Sequence, residues 1–173
     1  EISLGLVGSE MCIRDRTPVV RVLPRWEEWM LRWPTPTDLA TANTGDVLRA
    51  WGKLGYPRRA LRLHSAAQAI VDRHDGDVPS NYDQLLALPG VGSYTAAAIT
   101  VFAFKKRATV IDTNIRRVHA RAVAGKALPA KSLTAAETRL AEALMPKDLH
   151  QSVLWNAAAM ELGALICTCL LYT

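Results

Sequence analysis

The sequence predicts an all-α protein. Three observations carry this expectation. Apolar residues recur three and four apart through most of the chain, the spacing that lines one face of a helix. Alternating apolar–polar runs, the mark of half-buried strands, are almost absent. Short Gly, Pro, Asn and Asp clusters separate the periodic segments at turn-like intervals.

The elements follow in order. Pro18–Trp33 carries Val20, Leu23, Trp26, Trp29 and Met30 at helical spacing, with Pro24 as an early break or kink. The Trp26, Trp29 and Trp33 cluster reads as core packing. A short helix is expected over Pro36–Ala42, capped by Thr35 or Thr37. Thr44-Gly45-Asp46 opens a helix running to Leu54. Arg58–His74 is amphipathic, with Leu61, Ala66, Ile70 and Val71 inward, and Asp75-Gly76-Asp77 ends it. Asn81–Ala87 is a short helix joined by a turn to Ser93–Phe104. Helices are then expected at Thr113–Val123, Thr134–Met145 and about His150–Ile166, with Leu128–Lys131 the most loop-like interior stretch.

The chain has 173 residues, formal charge +5 and pI ≈ 9.4. A modest basic excess suits a DNA partner through phosphate neutralisation, and equally an ordinary basic protein. Leu4–Val7 is too short and too lightly flanked for a secretion signal or a membrane span.

Both termini have an unusual property. Glu10–Arg16 can be written GAG ATG TGT ATA AGA GAC AG, and Cys169–Thr173 as TGT CTC TTA TAC ACA, the reverse complement of part of the first. Unrelated protein ends should not encode each other's complement. Residues 1–16 and 169–173 are therefore expected to be read-through of a sequencing-library transposon end, with Gly5–Ser9 fitting the adaptor upstream, and the genuine chain to be a fragment. Residues 1–16 hold two basic and three acidic side chains, so removing their net −1 from +5 leaves +6. The one genuine cysteine, Cys167, gives no disulfide framework and suits a reducing cytoplasm.

Two segments point to chemistry. Leu88-Pro89-Gly90-Val91-Gly92-Ser93-Tyr94 reads as a tight turn opening into a helix. Gly90 and Gly92 permit a sharp turn and close approach of a ligand. The amides of Leu88, Gly90, Val91, Gly92 and Ser93, with the helix start behind them, form a candidate DNA-phosphate site. An ordinary helix–turn–helix connection has the same sequence pattern. Asp112-Thr113-Asn114 then puts a carboxylate at the start of the next helix. A lone carboxylate near a candidate phosphate site suggests chemistry on a nucleic acid. Asp112 is equally a good helix N-cap, and both roles are compatible.

In matching order, Thr17-Pro18-Val19, Leu54-Gly55-Tyr56, Arg59 with His64, the glycine turn, Asp112-Thr113-Asn114 with Arg117-Val118, and Glu161-Leu162-Gly163-Ala164 with Cys167 make the chain resemble the helix-hairpin-helix DNA glycosylase superfamily. Within it they resemble the adenine DNA glycosylases (MutY type), which act on adenine mispaired with oxidised guanine. The resemblance implies a two-lobed fold. A helical barrel lobe with the hairpin covers 17–109, and a second helical lobe covers 110–168, truncated before an iron–sulfur cluster loop. It implies Asp112 as catalytic carboxylate, supported by Asn114, and a base pocket of Tyr94, Trp51 and Tyr56. Core packing is the alternative for Trp51 and a buried helix position for Tyr94. Tyr94 stands where endonuclease III-type relatives carry a lysine that attacks the sugar, and a phenol forms no Schiff base, so the chain looks monofunctional.

The resemblance also implies what is missing. The family's protonating Glu falls six residues before Thr17, where this chain has Met11; its Gln pair falls at Asp15 and Arg16, and Glu10 is one position out of register. Cys167 would be the first ligand of a [4Fe–4S] cluster whose other three are not present at the family's spacing. The implied function is base excision repair of adenine opposite 8-oxoguanine or guanine in duplex DNA. The implied setting is a monomer in the bacterial cytoplasm, associated with the nucleoid, and this chain itself is expected to be inactive. A pyrimidine (thymine) mismatch glycosylase, and a non-catalytic helix-hairpin-helix DNA-binding module, are the alternatives.

Overall fold

The computed structural model describes residues 19–167. Among them every regular element is helical. The chain divides into two compact units, the first ending at Ile99 and the second beginning at Thr100.

The first unit holds α1 (Val19–Arg32), α2 (Pro36–Thr41), α3 (Thr44–Trp51), α4 (Arg58–His74), α5 (Tyr82–Leu86) and α6 (Ser93–Ala98). Local chemistry sets their ends. Thr35 accepts from the Asp38 amide while Asp38 reaches back to the Thr35 amide, a reciprocal cap that settles Thr35 over Thr37. Asn43 caps α3 through the Gly45 amide, and Asn81 caps α5 through the amides of Asp83 and Gln84. The expected run to Leu54 changes character at Gly52, whose φ of +58 ends α3; one 3₁₀ turn, Gly52–Leu54, follows. Asp75 closes α4 in the left-handed region at φ +53.

α2 and α3 pack on α4, α1 on α3, and α5 on α6. Leu39, Val47, Ala60 and Ala67 form a buried cluster, against which Trp29, Trp33, Trp51 and Leu63 pack. Trp29 meets Trp33 edge-on at 5.1 Å and Trp51 at 5.8 Å between centroids. Each such pair adds about 0.5–1.5 kcal/mol beyond its buried area. The inward stripe of α1 differs from the expected one. Val20 is 78% and Leu23 48% exposed, because the stripe runs through Val22, Trp26, Trp29 and Trp33, which leaves both on the outer face. Ala66 and Ile70 are buried as expected, whereas Leu61 and Val71 are half-buried.

After Ala98 the helix does not continue as α. Ile99–Ala103 widens into a π segment, so the expected helix over Ser93–Phe104 has two parts.

The second unit holds α7 (Thr113–Ala122), α8 (Ala135–Leu144) and α9 (Leu149–Leu165), with α8 and α9 both packed on α7. Thr134 and Glu137 form another reciprocal cap at the start of α8. Arg116 Nη2 donates to the carbonyls of Ala130 (2.7 Å) and Ser132 (2.9 Å) and to Glu137 (3.0 Å), which ties down the loop containing Leu128–Lys131. Val110, Ile115, Val118, Ala120, Ala141, Met145 and Ala159 are buried. α9 is unusual in that its buried residues are small or polar: Ser152, Asn156, Ala159 and Gly163.

Candidate functional site

In the first unit, Leu85 and Leu88 are buried and anchor the turn, and the Leu88 amide donates to the Leu85 carbonyl at 3.1 Å. The Val91 amide donates to the Leu88 carbonyl at 3.1 Å. Gly90 has φ +80, and a Cβ there would lie 2.7 Å from Cβ of Arg62; glycine is required by conformation and by space. Gly92 differs. Its backbone is extended, and a Cβ there would meet nothing within 4 Å. Gly92, Ser93 and Gly90 are exposed, and Gly92 has no side chain to cap the first turn of α6. The methylene stem of Arg62 lies against Gly90, which brings a cation to the same turn.

Tyr94, the second residue of α6, is half-buried. Trp51 donates its ring N–H to the Gly55 carbonyl at 2.8 Å, and Arg59 lies 5.8 Å over its ring. Together with the Trp29 contact this places Trp51 in the aromatic packing of α1 and α3. Tyr56 is 55% exposed, with φ +49, at the turn into α4. His64 is buried, and its Nε2 has no partner among the described residues.

In the second unit the carboxylate is built from α7 outward. Asp112 is the N-cap, with extended backbone; the Ile115 amide donates to Oδ1 at 2.7 Å. Asp112 is 8% exposed, and its Oδ2 has no hydrogen-bond partner among the described residues. Burial pushes this carboxyl above the ordinary aspartate value, against the opposing pull of the Ile115 and Asn114 amides and of the Arg117 charge. One oxygen is fixed by the helix amide, and the other is buried without a partner among the described residues, a costly state for an ionised carboxylate.

Asn114 points elsewhere. Its Oδ1 accepts from Arg117 Nη2 at 2.7 Å, and the same nitrogen donates to the Gly163 carbonyl at 2.5 Å; Arg117 Nε donates to the Cys167 carbonyl at 2.6 Å. One buried guanidinium thus ties the first turn of α7 to the end of α9. The tie needs α9 very close, and Gly163 permits it: a Cβ there would lie 2.7 Å from Asn114 Cβ. Asn156, which the sequence reading did not single out, also serves this region. Its Oδ1 accepts from the Val110 amide at 3.0 Å, and its Nδ2 donates to the Ala108 carbonyl at 3.1 Å. The available signal was a lone amide amid apolar residues two turns before Gly163.

Cys167 is partly buried, and its Sγ accepts from Arg121 Nη1 at 3.4 Å. A [4Fe–4S] cluster requires four ligands. Among the described residues no three His, Cys, Asp or Glu side chains converge, and one thiol does not hold the cluster. Met11, Asp15, Arg16, Glu10 and the two terminal segments lie outside the described residues, as do Cys12, Cys169, Thr17 and Pro18. No helix among the described residues is long and apolar enough to cross a membrane.

The family model of the HhH-GPD superfamily base excision DNA repair proteins matches residues 10–144. The chain belongs to that superfamily. Within it, the chain is 50% identical over 165 residues to the adenine DNA glycosylase of Mycobacterium tuberculosis, covering 94% of this chain and 53% of that protein. It is 49% identical over 166 residues to that of Mycolicibacterium smegmatis (94% and 54%), and 38% identical to the human one (92% and 29%). The HhH-GPD chain thus spans about half the length of the bacterial relatives. Among solved structures it is similar to a thermostable thymine-DNA glycosylase, with TM-score 0.79, 26% identity, and coverage of 97% of this chain and 77% of the other. An endonuclease III–DNA complex at TM-score 0.79 and 20% identity (96% and 74%) shares the fold. The all-α glycosylase fold expected from the sequence is therefore the fold of the family.

Proposed function

We propose that the chain carries the catalytic core of a monofunctional adenine DNA glycosylase, which hydrolyses the N-glycosidic bond of adenine opposite 8-oxoguanine or guanine. The observation that carries this reading is Asp112, buried, held by one oxygen and with the other unpartnered. The adenine DNA glycosylases at 50% and 49% identity support the choice of base.

In this reading the amides of the exposed Gly90, Gly92 and Ser93, with Arg62 beside them, grip a phosphate of duplex DNA. The target nucleotide leaves the stack, at a penalty of a few kcal/mol that its pocket offsets, and Tyr94 packs on the extruded base. The bond between the sugar C1′ and the base nitrogen breaks, and its electron pair leaves with the base. Positive charge spreads over C1′ and the ring oxygen, opposite Asp112 Oδ2. Water then adds its oxygen to C1′ and releases a proton. Tyr94 supplies no amine, so the strand is not cut. A general acid that protonates adenine contributes about 10²–10⁴-fold; the family's position for it falls on Met11 of this chain. Cys167 would be the first of four cluster ligands, and no step is assigned to the cluster. Duplex DNA as partner, action as a monomer and a bacterial cytoplasmic setting at the nucleoid go with this reading.

The test is single-turnover excision by the full-length protein and its Asp112→Asn variant. Duplex affinity should stay near wild type, and adenine release should fall by about 10²–10³-fold, the usual loss for one electrostatic stabiliser. Release at near wild-type rate would reduce Asp112 to a helix cap. The thymine-DNA glycosylase likeness gives a second reading. A duplex with thymine opposite guanine in the same assay separates the two.

A further inference from the structure

We propose that Asn156 is a positioning residue for Asp112, its carboxamide holding the chain in the extended path that delivers the carboxylate to the start of α7. The inference rests on the reading of Asp112 as the catalytic group.

Lys106–Ile111 enters Asp112 without regular structure, yet Val110 is 1% exposed. Buried backbone N–H and C=O groups need partners, and no strand among the described residues supplies them. Asn156 takes that place. It is 2% exposed, on the inner face of α9. Its Oδ1 accepts from Val110 N–H at 3.0 Å, and its Nδ2 donates to Ala108 C=O at 3.1 Å, 46 and 48 residues away in sequence. The carbonyl of one residue and the amide two residues on form one edge of an extended chain, the same pair that a neighbouring strand would engage. One carboxamide engages both because it carries an acceptor and a donor side by side. Its second N–H donates to the Ser152 carbonyl at 2.8 Å, which fixes the amide to its own helix. Val110 is two residues from Asp112, so a shift of this edge reaches the carboxylate directly.

The chemistry selects this side chain. Asp keeps the acceptor and loses the donor facing Ala108. Leu has the same shape and engages neither group. A group that only stabilised the fold would change melting without changing the rate of the folded molecule.

The experiment compares full-length wild type with Asn156→Asp, Asn156→Leu and Ala67→Gly, the last a buried α4 position in the core of the first unit. Single-turnover adenine excision and duplex affinity are measured well below each melting temperature. Both Asn156 variants should lose about tenfold to a hundredfold in excision rate, as expected for misplacement on the order of 1 Å, with affinity retained. Ala67→Gly should lower the melting temperature and keep its rate. Wild-type excision rates in folded Asn156 variants would overturn the inference. Where those variants fail to fold, hydrogen exchange of wild type decides: a protected Val110 amide supports the bond to Asn156, and a freely exchanging one overturns it. Asp112→Asn in parallel separates the two readings. If it retains full rate, the catalytic reading fails. If it is inactive while Asn156→Asp is fast, only the positioning inference fails.

Discussion

Alanine in place of a helix-interior glycine ordinarily stabilises a protein by about 0.8–1 kcal/mol. At Gly163 the sign should reverse. The new Cβ would sit 2.7 Å from Asn114 Cβ and 3.0 Å from the Asn114 carbonyl carbon and oxygen. Resting carbon–carbon contacts are about 3.5–4.0 Å, so α9 must retreat by about 1 Å. Two of the three atoms met are backbone, and no side-chain rotation relieves them. Overpacking of this kind costs about 1–3 kcal/mol. Retreat also stretches the bond from Arg117 to the Gly163 carbonyl, and charged hydrogen bonds contribute about 1.5–3 kcal/mol. Against the propensity gain, a net loss of about 2 kcal/mol is expected. For a chain of this size each kcal/mol moves the melting temperature by about 2–4 °C. Gly163→Ala should therefore melt about 4–8 °C below wild type, followed by far-UV circular dichroism. In the full-length protein, excision should fall by about 10²-fold, because the displaced turn carries Asn114 next to Asp112. A variant that melts higher than wild type would show that α9 does not press on α7 as described.

Asp112→Asn should separate stability from activity. Burial raises the carboxyl above its ordinary value of 3.8. A raised acid favours the fold most when protonated, below the unfolded value, and that contribution is lost as pH rises through the folded one. Asn keeps the cap without ionising. The variant should thus gain in melting temperature over wild type as pH rises from 3.8 through that range, while excision is lost; a constant difference across pH would refute the burial argument. Tyr94→Lys in the full-length protein should yield a borohydride-trappable adduct with the sugar, and a folded variant giving none would place residue 94 away from the sugar. Arg62→Gln should weaken duplex binding about equally for all sequences and lower the salt slope by about one unit; an unchanged slope would remove Arg62 from the phosphate contacts.

Features written in short-range chemistry were legible in the sequence. Asp112 and Thr134 announce helix starts because an N-cap needs an oxygen at one position and an amide three residues on. Gly90 announces a turn because φ +80 suits glycine. Features that depend on neighbours far along the chain were not. The π segment at Ile99–Ala103 sits in a run with ordinary helical periodicity. The outward turn of Val20 and Leu23 is decided by which face of α1 meets α3. Asn156 is one amide among apolar residues, and its task appears only when the 108–110 segment lies beside it. The resemblance to known glycosylases singled out Asp112 and Asn114, but not that Asn114 turns towards Arg117.

The inner stripe of α9 also shapes how this unit would respond to random substitution. Ser152, Asn156, Ala159 and Gly163 face inward, while Leu154, Leu162, Leu165 and Ile166 stand exposed. In most helices the largest residues are the least replaceable. Here the ranking inverts: in a saturation library, sensitivity should peak at the four smallest or polar positions, spaced three and four apart, and rise with the volume of the incoming side chain. The outward leucines should accept polar replacements with little change in folding. A substitution map of α9 would then have the period of a helix but the opposite size preference from a buried hydrophobic face, and a tolerance score trained on apolar cores would rank its positions backwards.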